Sequence, residues 1–347
     1  MNVSPEWCTV WFLVMGVMFI GYAVLDGFDL GVGALHMLVG RNEKDREMAI
    51  NAIGPVWNGN EVWLLAGGGS MVVAFPHLYA AGFSGFYLAL MLVLWLLILR
   101  GVGIEFRHQV DHPMWREIWD VVFSVASALL GVLFGVAVGN VLVGVPFNAD
   151  GTFQGSFAVM LNPFAILAGV LSLMALSLHG ATYLAMKTEG DLQERARKYA
   201  GALWWVVMAL LLAITAASFV VRPDFMHNFL KAPVLFLLTA FGAASSITLL
   251  LSVKAKKDTR AFQASCGLIV SVLLSVAAGL FPMVLPSSRA TQAAFKGLDI
   301  YNTASPANSQ RTAFFIYLVG IAIVAVYLWQ VYRTWSGKVH AGEGYHA

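Results

Sequence analysis

The sequence predicts an all-α polytopic membrane protein, with nine transmembrane helices arranged as two four-helix bundles plus one peripheral helix. Three observations support this. Only 12% of the 347 residues are charged and 59% are hydrophobic, whereas a soluble domain carries about 25% charged residues; mean hydropathy is +0.75. Nine apolar runs have the length, about 20 residues, that crosses a hydrocarbon core of about 30 Å. The basic residues are divided unevenly between the two sides of those runs.

The runs fall near 8–39, 51–74, 77–100, 118–145, 157–186, 198–221, 232–253, 261–285 and 312–333. The second is diluted by Gly54, Pro55, Asn58, Gly59, Asn60 and Glu61. Without it, the positive charges would alternate between sides, so it counts as a span. With the N-terminus outside, 16 of the 21 Lys and Arg lie on the inner side, from Arg41, Lys44 and Arg46 to Arg333 and Lys338, with Arg100 placed in an inner loop. The positive-inside rule therefore predicts N-out, C-in. The first run has Glu6 and no basic residue before its apolar core, so it reads as a retained span and not a cleaved signal. The net charge of +2 gives no reason to expect nucleic acid as a partner.

No soluble domain is expected, only short connections, the longest being a polar outer loop over 286–311. Residues 37–57 and 185–205 share a charged turn, an Ala-rich helix start and a terminal tryptophan, Trp57 and Trp205, at an offset of 148. This suggests a parallel repeat, with units 1–147 and 148–286 followed by a segment 287–347 that holds the outer loop, the ninth helix and the tail.

Candidate functional residues are the polar ones inside apolar runs. Asp26 and Asp29 in the first run, and Asn58 and Glu61 in the second, are each spaced i,i+3 and so share a helix face. A carboxylate at the bilayer centre costs about 2.5–3.5 kcal/mol on insertion scales, so three of them need a compensating interior. The two runs are antiparallel neighbours, and the four side chains are expected to form a staggered ladder suited to moving protons or cations. A structural hydrogen-bonded network is the alternative. His36, His77 and His179 are boundary or helix residues with no spacing for stacked haems, and His108, His112, His227, His340 and His346 fall in loops or tail. Cys8 and Cys266 are isolated, with no metal-like spacing.

The strings Gly21-Tyr-Ala-Val-Leu-Asp-Gly-Phe-Asp-Leu-Gly-Val-Gly33 and Pro55-Val-Trp-Asn-Gly-Asn-Glu-Val-Trp63 resemble subunit II of the cytochrome bd-type quinol oxidases. So do Phe83-Ser-Gly-Phe-Tyr87, Val145-Pro-Phe-Asn148, Leu161-Asn-Pro-Phe164, Gly180-Ala-Thr-Tyr183 and Phe281-Pro-Met-Val-Leu-Pro-Ser-Ser288, in family order along the chain. The resemblance implies a chain that binds no cofactor itself and has no catalytic residue. It would pair in a bacterial inner membrane with a similarly folded subunit I that carries two b-type haems, one d-type haem and the quinol site. The complex would oxidise quinol, reduce O2 to water and take protons from the inside. The resemblance admits structurally bound quinone or lipid and small single-helix accessory subunits. Asp26, Asp29, Asn58 and Glu61 become proton-pathway candidates, and Trp63 an oxygen-access candidate. Many family members have an acid at the position of Asn58, where this chain has the amide; the Asn58/Glu61 form resembles the cyanide-insensitive branch. Two other readings stay open from the residues alone: a secondary transporter with mid-membrane acids, and a haem-b membrane anchor.

Overall fold

A computed structural model describes residues 3–339, so His340 and His346 lie outside the described residues. The chain is mainly helical: α1 (Pro5–Val39), α2 (Glu43–Ile53), α3 (Trp57–Ala74), α4 (Pro76–Gly85), α5 (Tyr87–Phe106), α6 (Pro113–Val143), α7 (Phe157–Met160), α8 (Pro163–Lys187), α9 (Gly190–Val221), α10 (His227–Lys231), α11 (Phe236–Lys254), α12 (Asp258–Leu280) and α13 (Ala307–Thr334). Local sequence sets many starts. Proline occupies the first turn of α1, α4, α6 and α8, where its missing N–H costs nothing. Asn42 and Asn162 cap α2 and α8 by accepting from the backbone N–H of Asp45 and Ala165.

Eight helices among the described residues are long and apolar enough to cross a membrane: α1, α5, α6, α8, α9, α12, α13 and α11 with the turn before it. The expected second span is not continuous. The chain turns at Gly54–Val56 between α2 and α3, and α3 is an 18-residue helix outside those eight that packs along α1. The expected third span, 77–100, also breaks. Its first part is the short α4, Phe86 separates the two, and α5 continues to Phe106. The membrane helix is thus shifted six residues toward its C-terminus, and Arg100 lies inside it, not in a loop.

At the centre α1 crosses α8, and α6 packs against both; α12 lies against α8 and α1. The flanking pairs are α3 on α1, α5 on α6, α9 on α8 and α11 on α12. The α1–α8 crossing is a backbone contact. A Cβ on Gly31 would stand 1.8 Å from the Leu176 carbonyl oxygen, and one on Gly180 would stand 2.3 Å from the Gly31 carbonyl carbon. Small residues permit this close approach where there is no water to drive helices together. Around the crossing lies the largest core cluster, including Phe28, Val32, Leu35, Leu178, Ala181 and Tyr183; Phe28 stacks on Tyr183 at 4.0 Å.

At the end that carries the α1 N-terminus, the expected polar loop is instead an ordered cap. Strands β1 (Met283–Pro286) and β2 (Gly297–Asp299) pair antiparallel, and Val145 bridges to Ser287. Leu285, Leu298 and Ile300 are buried there with Trp11, Phe75 and Phe147. In the loop below, the Thr152 hydroxyl and N–H donate to the Asp150 carboxylate and hold it below its usual pKa. The opposite end, called here the basic end, carries Arg41, Arg46, Arg107, Arg116, Arg195 and Arg197. Helix α13 is peripheral: Gln310 and Leu328 are its buried residues.

Candidate functional site

Tyr22, Asp26 and Asp29 are spaced i, i+4, i+7 on α1 and line one face. Helix α5 brings Arg100 to that face, fully buried, six residues or about 9 Å from the end of the helix. Its guanidinium fork joins two acids: Nη1 donates to Asp26 Oδ1 at 2.7 Å and Nη2 to Glu61 Oε1 at 2.6 Å. Three helices, α1, α3 and α5, therefore meet at one cation. A planar fork with donors on separate nitrogens can bridge two carboxylates in this way, whereas an ammonium is a point charge. Asp26 and Arg100 have no exposed side-chain surface, while Glu61 keeps 25%.

Asp29, one turn nearer the basic end, has no cation bonded to it. Its Oδ2 accepts from Asn60 Nδ2 at 2.8 Å, and Asn60 Oδ1 accepts from the Tyr332 hydroxyl of α13 at 2.8 Å. The two acids of α1 and Glu61 thus come together as expected, but Asn58 does not join them. Asn58 is exposed on the outer surface of the chain, beside Val62 and Leu65, and the amide facing the acids is Asn60. Spacing alone pairs Asn58 with Glu61; Asn60 is the residue that the turn at Gly54–Val56 rotates inward. Trp63 packs its ring on α1, where a Cβ on Gly21 would lie 2.4 Å from it.

Tyr22 Oη, Asp26 Oδ2, Asp29 Oδ1 and Arg100 Nε are buried with no hydrogen-bond partner among the described residues. Buried polar atoms of this kind are commonly satisfied by internal water. Two turns below Asp29 on the same face of α1 is His36, and a second network begins there. His36 Nε2 is 2.7 Å from Asp120 Oδ1. Arg107 Nε donates to Asp120 at 2.6 Å and its Nη2 to Glu43 at 2.9 Å, and Arg46 reaches Asp120 at 3.5 Å. His36, Asp120 and Arg107 are buried, and Glu43 is 45% exposed at the basic end. This second network reaches the surface at the basic end, separated from the acids by two turns of α1 that carry the buried Leu30, Val32 and Leu35. The sequence reading passes over Arg100 and Asp120 because both sit near the ends of apolar runs, where a charge is ordinarily a loop charge.

His36 and His179 are engaged within the protein, whereas His77 on α4 is exposed. His179 uses both ring nitrogens, with Ser265 Oγ at 2.6 Å and the Val24 carbonyl at 2.9 Å, and stacks on Phe262 at 5.0 Å. His36 faces Asp120. Both ring nitrogens of His179 are taken while His36 keeps Nδ1 without a partner among the described residues, and no group of three or more His, Cys, Asp or Glu is placed to hold a metal ion among the described residues. Cys8 and Cys266 are free thiols. This arrangement can hold ionised carboxylates on a cation and keep one carboxyl on a neutral amide.

The family model described as cytochrome bd terminal oxidase subunit II matches residues 7–335. The cytochrome bd-I ubiquinol oxidase subunit 2 of Escherichia coli K12 is 34% identical, across 95% of this chain and 94% of its own. The probable cytochrome oxidase subunit 2 of Haemophilus influenzae is 35% identical, across 94% and 92%. A chain of the bd oxidase structure from Geobacillus thermodenitrificans superposes with a TM-score of 0.77 at 15% identity, over 95% of this chain and 98% of that one. At that identity the last likeness speaks to the fold.

Proposed function

The chain belongs to the cytochrome bd terminal oxidase subunit II family, and from that premise we propose that it is the haem-free subunit of a quinol oxidase that passes protons toward its partner. Family membership favours this over the transporter and haem-anchor readings. The partner is a subunit I that carries two b-type haems, one d-type haem and the quinol site. The complex lies in the bacterial inner membrane with the α1 N-terminus outside and the basic end in the cytoplasm. Asp26, Asp29 and Glu61 form the inner part of the proton route.

The observation that supports this role is the difference between the acids. Asp26 and Glu61 are clamped to Arg100, and Asp29 is bonded to an amide. A carboxyl on a neutral partner can take up and give up a proton without breaking an ion pair. The His36–Asp120–Glu43 network leads from the cytoplasmic end toward Asp29, and Glu61, partly exposed beside Asn58, is where a proton leaves for a partner covering that surface. Trp63, two residues beyond Glu61 on α3 and half-buried against Gly21 of α1, is the oxygen-access candidate.

The test uses the assembled two-subunit complex. Asp29→Asn is expected to lower quinol-driven O2 consumption at least tenfold, and Glu61→Gln about tenfold, with haem spectra unchanged; positioned proton-transfer groups contribute about 10²–10⁴-fold. Full turnover in both variants would remove the acids from the proton route. The chain purified alone is expected to show no Soret band in its visible spectrum. A stoichiometric band would return haem binding to this subunit.

A further inference from the structure

Helix α13 buries little, yet it is tied to the bundle by polar bonds at both ends. Ile316, Val319, Ile323 and Val326 are each more than 60% exposed. At the cap end Trp11 Nε1 donates to the Gln310 carbonyl at 3.1 Å, and Gln310 Nε2 donates to the Ala74 carbonyl at 3.2 Å. At the basic end, the chain just past α13 is held across α8. Lys187 Nζ donates to the carbonyls of Trp335 at 2.5 Å and Gly337 at 2.8 Å, and the Val339 N–H donates to the Lys187 carbonyl at 2.8 Å. Between these ties the Tyr332 hydroxyl reaches Asn60. A cavity of about 410 Å³ lies beside Tyr332, roofed by residues 335–339 and floored by Tyr183, Phe262 and Val56.

We infer that Tyr332 is a positioning residue for Asp29, its hydroxyl and the Asn60 amide forming a reversible adaptor that keeps the Asp29 carboxyl hydrogen-bonded with and without its proton. The inference rests on the proposed proton role of Asp29. An amide has a donor end and an acceptor end and does not carry a proton, whereas a phenol both donates and accepts. With Asp29 ionised, the observed arrangement holds: Asn60 Nδ2–H donates to Asp29 and Asn60 Oδ1 accepts from Tyr332. When Asp29 gains a proton, its new O–H needs an acceptor. The amide turns over, Oδ1 accepts from Asp29, and Nδ2 donates to Tyr332 Oη, whose own O–H rotates toward the adjoining cavity. The number of bonds in the chain is conserved, and no buried polar group loses its partner. The proton arrives at the other carboxyl oxygen, Asp29 Oδ1, which has no partner among the described residues, and a half-turn of the carboxyl then brings that O–H to face the Asn60 amide.

The experiment compares Tyr332→Phe with Asp29→Asn in the assembled complex, by turnover and by redox-induced infrared difference spectra. The Asp29 carboxyl C=O band is the one lost in Asp29→Asn. Tyr332→Phe is expected to shift that band and to slow turnover about three- to tenfold, the range that the net worth of one hydrogen bond corresponds to. Combined with Asn60→Leu it should cost no more than Asn60→Leu alone, because both act through one chain. Unchanged turnover and an unmoved band in Tyr332→Phe, with Asp29→Asn inactive, would overturn the adaptor and leave the proton role of Asp29 standing. An active Asp29→Asn would overturn both. Should Tyr332→Phe fail to assemble, Tyr332→Gln, which restores a two-ended polar group, must recover haem content and turnover; failure of both variants to assemble would assign Tyr332 to packing instead.

Discussion

Arg100→Met is expected to stop the complex from accumulating in membranes, with haem content falling at least tenfold. The substitution keeps much of the side-chain volume but leaves Asp26, fully buried, and Glu61, three-quarters buried, without the cation that both share. Removing one partner of a buried pair costs about 3–5 kcal/mol, and here two carboxylates lose theirs at once. Arg100→Lys should recover part of the assembly, since one ammonium can serve one acid well but not bridge two across three helices. The triple change Arg100→Met, Asp26→Asn, Glu61→Gln removes every charge from the clamp. It should restore assembly without restoring turnover, separating the structural demand for the arginine from the chemical demand for the acids. Arg100→Met assembling at the normal level, measured by haem content and subunit ratio, would show that the clamp is not needed for the fold.

Gly31→Ala is the second large effect. Its Cβ would meet backbone, the Leu176 carbonyl oxygen at 1.8 Å and the Gly180 nitrogen at 2.8 Å, so no side chain can rotate away. Helices α1 and α8 would have to separate, which would open the core around Phe28 and Tyr183 and pull the Val24 carbonyl from His179. Overpacking of a tight core costs about 1–3 kcal/mol even where side chains can adjust, and here the cost should exceed that. The expected result is loss of the complex from membranes. Gly68→Ala, whose Cβ would meet nothing within 4 Å, should accumulate normally. Equal yields of the two variants would mean that the crossing can widen without penalty.

The sequence was most informative where one physical rule acted alone. Apolar length predicted nine membrane helices, of which seven coincide with long apolar helices of the described residues, and the cost of a carboxylate in hydrocarbon singled out Asp26, Asp29 and Glu61 before any neighbour was known. It was less informative where two rules competed. Run length placed a single helix over 77–100, but the break at Phe86 moves the span and carries Arg100 inside, reversing the reading of that residue from loop charge to shared counter-ion. Helical spacing pairs Asn58 with Glu61, yet Glu61 turns inward to Arg100 while Asn58 stays exposed, and a turn containing Pro55 brings Asn60 inward. The link from Tyr332 to Asn60 spans 272 residues, a distance at which periodicity says nothing. The 286–311 loop reads as polar because its apolar residues, Leu298, Ile300 and Ala304, are scattered in sequence and gather only when the strands pair.

The contact between Gly31 and Gly180 joins positions 149 residues apart, within one residue of the offset at which the two inner turns resemble each other. Helices α5 and α11 start the same distance apart, at Tyr87 and Phe236. At that offset Asp26 corresponds to Ala175, Asp29 to Leu178, Arg100 to Leu249 and Asp120 to Ile269. The buried acids and the arginine that two of them share thus have apolar counterparts, whereas Arg46 and Arg107 at the basic end correspond to Arg195 and Lys256. If the chain arose by duplication, its two copies have divided the labour: one became an ion-handling half and the other an inert buttress against which it is held. The two sides are therefore unequal as engineering targets. Charge placed at the membrane-buried positions of the second half would meet no preformed partner, while apolar changes there can be made without touching the proposed proton route.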